Sequence, residues 1–300
     1  MIMKKYAIIK IISKIIVLIA IGLLCWPSIS HISSAYKVMQ LTEDYETEVE
    51  ALDEKDYTDL IESARRYNDS LVGSPVHDLT DEEMEQYMSL MNITGNGIMG
   101  RISIPKINVD LPIYHGDKED SMQRGAGHMP GTSLPVVSAS SHVVISGHSG
   151  LATKPMFIDL GRLEIGDTFQ ISALRQVITY EVDQILTVLP EEVDAIAIEP
   201  GKEYCTLVTC TPMWINNHRL LVRGHRIESP EASEGDKASD ADKTTVAVTD
   251  IMLRVLYGKV LAVHEVVMLL IALILLVVEI IWPCAKAIRK KLAEMNDTYF

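Results

Sequence analysis

Three hundred residues leave room for one ordinary globular domain with accessory segments, or for two small ones. With 48% hydrophobic and 23% charged residues the chain is neither disordered nor collagen-like, and its net charge of −14 argues against nucleic acid as a partner, because phosphates need a basic face. Its mean hydropathy is nonetheless +0.16, which so acidic a chain reaches only by concentrating apolar residues, here at the two ends.

Ile15 to Ile29 is apolar apart from Ser28 and is preceded by Lys4, Lys5, Lys10 and Lys14. A spanning helix needs about 20 residues for a ~30 Å hydrocarbon core. Ile11 and Ile12 extend the run, and Lys14 can snorkel. Residues 1–35 therefore read as a membrane segment, either a retained anchor or a signal peptide cleaved near Ser33-Ser34-Ala35. In either case the chain beyond residue 35 is exported.

Residues 36–96 carry a helical pattern. Val38, Leu41, Tyr45, Val49 and Leu52 recur at spacings of three and four, and so do Tyr57, Leu60, Ile61, Ala64 and Leu71. Gly73-Ser74-Pro75 breaks the pattern, and Thr80-x-x-Glu83 is a capping-box signal for another helix to about Met91. Gly95-x-Gly97-x-x-Gly100 has the letters of a dinucleotide fingerprint, but a helix precedes it and a strand comes after, so it is expected to be a turn. The Asn-x-Ser/Thr matches at Asn68 and Asn92 are taken as chance.

From about 97 to 228, short β-branched runs alternate with Gly and Pro. They are Met99–Ile104, Val109–Tyr114, His142–Ser146, Thr168–Ser172, Gln176–Val182, Gln184–Val188, Tyr204–Thr209 and Arg219–Ile227. This spacing predicts a mostly β domain, an antiparallel sheet closed into a barrel or stacked as a sandwich. Residues 229–259 form an acidic, polar stalk and linker. The apolar run of 260–283 is followed by Lys286, Arg289, Lys290 and Lys291. Basic flanks stay on the cytoplasmic side. This run then spans the membrane, 284–300 is a cytoplasmic tail, and residues from about 33 to 259 lie on the extracellular face. A buried core helix is the competing reading of the second run.

Of four cysteines, Cys25 and Cys284 belong to the membrane segments. Cys205 and Cys210 are five apart on one expected strand, so they face opposite sides of the sheet and cannot easily bridge. An exported domain with an unpaired thiol raises the question of reactivity. Nothing resembles a metal-binding spacing, neither HExxH nor CxxC, so no metal or cofactor is expected.

Thr206-Leu-Val-Thr-Cys210-Thr-Pro212 places a thiol where an apolar strand ends. The ordinary fate of a cysteine is that of a small buried hydrophobe. His148, in Ser146-Gly-His-Ser-Gly150, comes directly after a strand and is flanked by glycines that leave its ring open, or it is simply a turn histidine in solvent. Arg219 opens the strand after Cys210, and a hairpin would bring its guanidinium near the sulfur; an edge-strand ion pair is the alternative. The three types complement one another. A thiol with a pKa of about 8.5 needs help to ionise. An imidazole can take its proton and later protonate a leaving amine. A guanidinium can hold a tetrahedral oxyanion.

Thr206-Leu-Val-Thr-Cys210 resembles the TLxTC signature of the sortases, cysteine transpeptidases of Gram-positive surfaces, and the order His, Cys, Arg is similar too. Leu111-Pro-Ile-Tyr-His-Gly116, Gly127-His-Met-Pro-Gly-Thr-Ser-Leu-Pro135 and Asn216-Asn-His-Arg-Leu-Leu-Val-Arg-Gly-His-Arg226 resemble the pilin-polymerising class C, as do the two membrane segments. The resemblance covers about 40–228. It implies a closed eight-stranded barrel, His148 as general acid/base, Cys210 as nucleophile and Arg219 as oxyanion arginine, with Arg223 its rival on the same face. It also implies that Thr209 lines the pocket. The substrate would be an LPxTG-like sorting motif on a pilin or surface protein. The motif would be cut after threonine through a thioacyl-enzyme and passed to a pilin lysine, or else to cell-wall precursor. The class often has a lid with an Asp-Pro-aromatic motif. Here Ser74-Pro75-Val76 keeps the proline without the acid or the ring, which implies a weakly latched lid near 73–79, unless His77 or Asp78 substitutes. The contrasting reading of the whole chain is a non-catalytic surface β-domain.

Overall fold

A computed structural model describes residues 2–150, 156–228 and 270–271. Lys37–Ala238 forms one compact unit, and the residues on either side belong to a second. Helix α1 (Ile2–Ala51) contains the apolar N-terminal run and continues into the acidic one. No helix among the described residues is long and apolar enough to cross a membrane. The stalk, the basic tail and all of the expected second span except Leu270 and Ile271 lie outside the described residues.

The end of α1 packs on the β domain through Tyr45 and Val49. The Tyr45 hydroxyl donates to Met99 O at 2.8 Å and accepts from Leu174 N at 3.3 Å, and burial pushes its phenol up to about 12. Helix α2 (Glu54–Leu71) starts where the Asp53 carboxylate accepts from Asp56 N, and it buries Ile61 and Ala64. Asn68 of α2 is fully buried rather than open to a glycan. Its Nδ2 donates to Leu134 O and Ser138 Oγ, both at 3.0 Å, and its Oδ1 accepts from Leu134 N at 2.7 Å. Helix α3 (Asp81–Ser89) opens with the expected Thr80/Glu83 capping box and buries Tyr87.

The β domain is a closed barrel in the order β1-β2-β3-β4-β7-β8-β6-β5. Its strands are β1 (Ile98–Ile104), β2 (Val109–His115), β3 (Ala126–His128), β4 (Ser141–Ser146), β5 (Thr168–Ala173), β6 (Gln176–Val188), β7 (Glu203–Thr211) and β8 (His218–Ile227). Three features correct the sequence reading. The sheet is not wholly antiparallel, because β2–β3 and β4–β7 run parallel. Parallel neighbours cannot be joined by a tight turn, and the crossover from β4 to β7 contains β5 and β6. The two expected strands of 176–188 are one, kinked by a bulge at Asp183. Strand β3 has three residues, too few to show alternation. Short glycine-containing segments behave as expected: Gly95 and Gly97 take positive φ in the turn before β1.

Inside the barrel Ile102, Ile104, Val143, Ile145, Phe169 and Leu207 pack with Ile61 and Ala64 of α2. Two buried histidines are held as neutral rings. His128 Nε2 donates to Ser133 O at 2.8 Å while its Nδ1 meets the Tyr87 hydroxyl at 2.9 Å. His142 Nδ1 donates to Ala197 O at 2.9 Å, leaving Nε2 to accept from Thr206 Oγ1 at 2.7 Å. Burial lowers both pKa values to about 4. In the unfolded chain both return to about 6.5. Above that value neither state is protonated and the fold keeps its full stability. As pH falls from 6.5 towards 4, the unfolded chain takes up protons that the folded one refuses. Stability is therefore expected to fall, these two rings supplying a slope approaching about 2.7 kcal/mol per pH unit near pH 5, two protons' worth, with His115, whose pKa burial also lowers, adding to it. Denaturant titrations across this window test it. His142→Asn should remove about one proton's share of the slope, and a flat profile would contradict the assignment of both rings as neutral.

Candidate active site

The register of three strands builds the site. β4 and β7 pair in parallel, with Val144 beside Thr206 and Ser146 beside Val208. The pairing runs one residue past β4, since Gly147 N donates to Val208 O at 2.9 Å. His148 is the next residue of the loop, two beyond Ser146. On the other side of β7, Cys210 is the direct antiparallel partner of Arg219, and Val208 of Leu221. Cys205 and Leu207 belong to the barrel core, so by alternation Thr206, Val208 and Cys210 face outward. Arg219 shares the parity of Leu221. Cys210 and Arg219 thus lie at one end of the barrel's outer face, and His148 is in the loop that leaves β4 at that end.

That face is apolar where it approaches the thiol. Val144, Val208, Leu221 and Ile196 form a cluster of their own, with Leu186 and Val188 packed against it. The loop carrying His148 is clamped from behind. A Cβ at Gly147 would lie 2.6 Å from the Phe157 ring, and Phe157 N donates to His148 O at 3.0 Å. His148 Nε2 is buried without a hydrogen-bond partner and lies 3.5 Å from Glu119 Oε2. Glu119 opens helix α4 (Glu119–Arg124), where Gln123 Nε2 donates to its Oε1 at 2.9 Å. Arg219 Nη1 donates to Asn216 O and His218 O, both at 3.1 Å. Its Nε and Nη2 make no hydrogen bond among the described residues, so donors are left for a ligand.

Thr209 sits on the inward parity with Cys205 and Leu207, and its Oγ1 donates to Gly147 O at 2.8 Å, bracing the histidine loop. Cys205 is fully buried, and burial raises its thiol pKa well above the usual range, which suits a structural residue. Ser74, Pro75 and Val76 lie in the irregular segment between α2 and α3. Val76 packs on the outer-face cluster of Val208 and Leu221, and the His77 carbonyl closes on Gly131, where a Cβ would come within 2.9 Å. No carboxylate pairs with Arg219 among the described residues.

Residues 102–227 match the sortase domain family. Among solved structures, sortase C1 from Streptococcus agalactiae is 44% identical, covering 63% of this chain and 99% of that one with a TM-score of 0.61. Sortase C from Streptococcus pneumoniae is 37% identical, covering 63% of this chain and 97% of that one with a TM-score of 0.57. Sortase D from Bacillus subtilis is 30% identical over 131 residues, 43% of this chain and 63% of that protein, so the chain spans less than two thirds of this relative. This chain belongs to the sortase family.

Within the sortase, the rival arginine is already engaged. The Asp183 carboxylate, turned outward by the β6 bulge, accepts from Arg223 Nε and Nη2 at 3.0 Å each. The Arg223 guanidinium also stacks over Tyr204 at 4.1 Å and lies 3.6 Å from Glu199. A fork held on three sides cannot turn towards Cys210, whereas Arg219 rests only on backbone carbonyls. Glu119 is the neighbour that sequence reasoning missed. It lies in a charged run, Lys118-Glu119-Asp120, that reads as solvent-facing, and only the fold brings it to His148. The clamp on the histidine loop makes a separate expectation. Gly147→Ala should destabilise the domain by about 1–3 kcal/mol, the usual cost of overpacking. Adding Phe157→Leu should recover part of that loss in denaturant unfolding, and additive losses would show that Phe157 does not set the loop.

Proposed function

We propose that this sortase is a membrane-anchored cysteine transpeptidase of the pilin-polymerising kind, working on the extracellular face with Cys210, His148 and Arg219 as its catalytic residues. The observation that carries the reading is Arg219 directly opposite Cys210 at one strand end, next to an apolar strip, with the His148 loop leaving β4 at the same end. The solved structures called sortase C support the class. The anchoring is supported by the apolar run of α1, where Ile16, Ile19, Leu23 and Trp26 are exposed, and by the basic flank after residue 283.

In the first step the Cys210 thiolate attacks the carbonyl carbon of the threonine in an LPxTG-like motif. Arg219 donates to the oxyanion that forms. The carbon–nitrogen bond breaks, His148 gives its proton to the departing amine, and the threonyl group is left on sulfur as a thioester. In the second step a lysine amine of a pilin subunit attacks that carbon, its proton passes to His148, and the carbon–sulfur bond breaks to restore the thiolate. Ser74, Pro75 and Val76 act as a lid, with Val76 lying on the strip that the acyl side of the motif would use. Val76 is its apolar hold on the strip, and no carboxylate pairs with Arg219 among the described residues, which makes it a weak latch.

A fluorogenic sorting-motif peptide incubated with the 300-residue chain in detergent tests the reading. Cys210→Ala should abolish cleavage, His148→Ala should lower kcat by about 100-fold or more, and Arg219→Lys by about 100- to 1,000-fold. The peptide should also protect Cys210 from alkylation. An inert thiol, with cleavage indifferent to His148→Ala and Arg219→Ala, would return the chain to the class of non-catalytic surface domains.

A further inference from the structure

Helix α4 has only six residues, too few to be stable alone, and the barrel pins it in place. Buried Ser121 donates from Oγ to His115 O at 2.7 Å. The Arg124 guanidinium lies 4.2 Å over the Tyr114 ring, and Arg124 Nη1 donates to Asn96 O at 3.4 Å. A Cβ at Gly125 would run into Pro112 O, so the chain leaves the helix flush against β2. These ties fix where the first residue of α4, Glu119, stands. One turn on, Gln123 Nε2 donates to Glu119 Oε1 at 2.9 Å, while Oε2 lies 3.5 Å from His148 Nε2.

The His148 backbone is held from its own side. Phe157 N donates to His148 O, and Thr209 Oγ1 donates to Gly147 O. Those bonds do not decide which ring nitrogen carries the proton of the neutral imidazole. The surroundings of the ring do. Nε2 is buried without a hydrogen-bond partner among the described residues, and the Glu119 carboxylate is the charged group that reaches it. A bare Nε2 would set its lone pair against that carboxylate, and the two would repel. A protonated Nε2 gives a buried donor its acceptor. Charge-assisted N–H···O bonds run at about 2.7–2.9 Å, and catalytic contacts often stand long until substrate arrives. The Glu119 side chain is 63% exposed, so the pair adds little to stability and its worth lies in the proton it places.

We propose that Glu119 is a positioning residue that keeps a proton on His148 Nε2 and leaves Nδ1 as the nitrogen that exchanges protons in both steps. The inference rests on the transpeptidase reading and deepens it. In acylation the imidazolium gives its Nδ1 proton to the departing amine nitrogen as the carbon–nitrogen bond breaks. The ring becomes neutral, with Nε2–H still directed at Glu119. In resolution the acceptor nitrogen bonds to the thioester carbon and its proton passes to the Nδ1 lone pair. The carbon–sulfur bond breaks and its electron pair returns to Cys210 sulfur. The ring need not turn over between the steps, and the carboxylate balances its charge without taking the proton.

The test uses the full chain in detergent and a fluorogenic sorting-motif peptide. Glu119→Ala should lower kcat by about 10- to 100-fold with KM unchanged, the loss expected when an acid–base group is no longer oriented. Glu119→Gln keeps an acceptor oxygen without the charge and should recover part of that loss. Asp120→Ala removes the same charge one residue further on and should leave kcat unchanged. Thermal unfolding, unchanged in all three, separates loss of fold from loss of orientation. An unchanged kcat in Glu119→Ala overturns the proposal, and so does an equal loss in Asp120→Ala, which would make the effect one of overall charge. A second readout needs no turnover. With 15N-labelled histidine at about pH 9, where imidazoles are neutral, the His148 signal (assigned by its absence in His148→Ala) should report Nε2–H in wild type and a mixture of both tautomers in Glu119→Ala. A wild-type ring protonated on Nδ1 overturns the proposal. Wild type that shows the Nε2–H ring yet cleaves no peptide strikes the transpeptidase reading itself, which separates the two failures.

Discussion

Alternation along β7 is the constraint on which the site depends. Successive side chains of a strand face opposite sides, so a slip of one residue against β4 and β8 would exchange the two faces. Cys205 would then leave the core and Cys210 would enter it. The slip is opposed on both flanks at once. Leu207 and Val222 are buried partners across β7–β8, and Val143 and Ile145 of β4 share their core, so a shift would drive all of them outward and draw Thr206 and Cys210 inward. The same packing that stabilises the barrel therefore decides which thiol is structural and which is presented.

The polar part of the structure serves the same end. Among the described residues, buried Thr209 holds the histidine loop, buried His142 the segment at Ala197, and half-buried Asp183 the second arginine. Unpaired, such groups would cost about 1–3 kcal/mol apiece. The exception is His148 Nε2, which is buried without a hydrogen-bond partner and has a carboxylate just beyond bonding range.

Local features were legible in the sequence. The Thr80/Glu83 cap, the turn at Gly95–Gly97 and the hairpin that sets Arg219 opposite Cys210 all depend on residues close together in the chain. The opposite facing of Cys205 and Cys210 came from their odd spacing. The non-local features needed the fold. The His148 loop is carried to the Cys210 end of β7 because β4 pairs in parallel with a strand about 60 residues later, a pairing that leaves no periodic trace. The bulge at Asp183 looked like a break between strands because it interrupts alternation, yet it is what removes Arg223 from contention. Alternation puts Thr209 on the face opposite Cys210, where it braces the histidine loop. The strand count and the roles of the three residues came from the resemblance rather than from pattern.

The central claim is that His148 and Cys210 are neighbours on the outer face. Dibromoacetone alkylates a thiolate and then bridges it, through three carbons, to a nitrogen within reach. Treating the full chain with this reagent and mapping its peptides measures that adjacency without any substrate. The account predicts a single cross-linked pair joining Cys210 to His148. Cys210 alkylated alone, or bridged to a different residue, would contradict it.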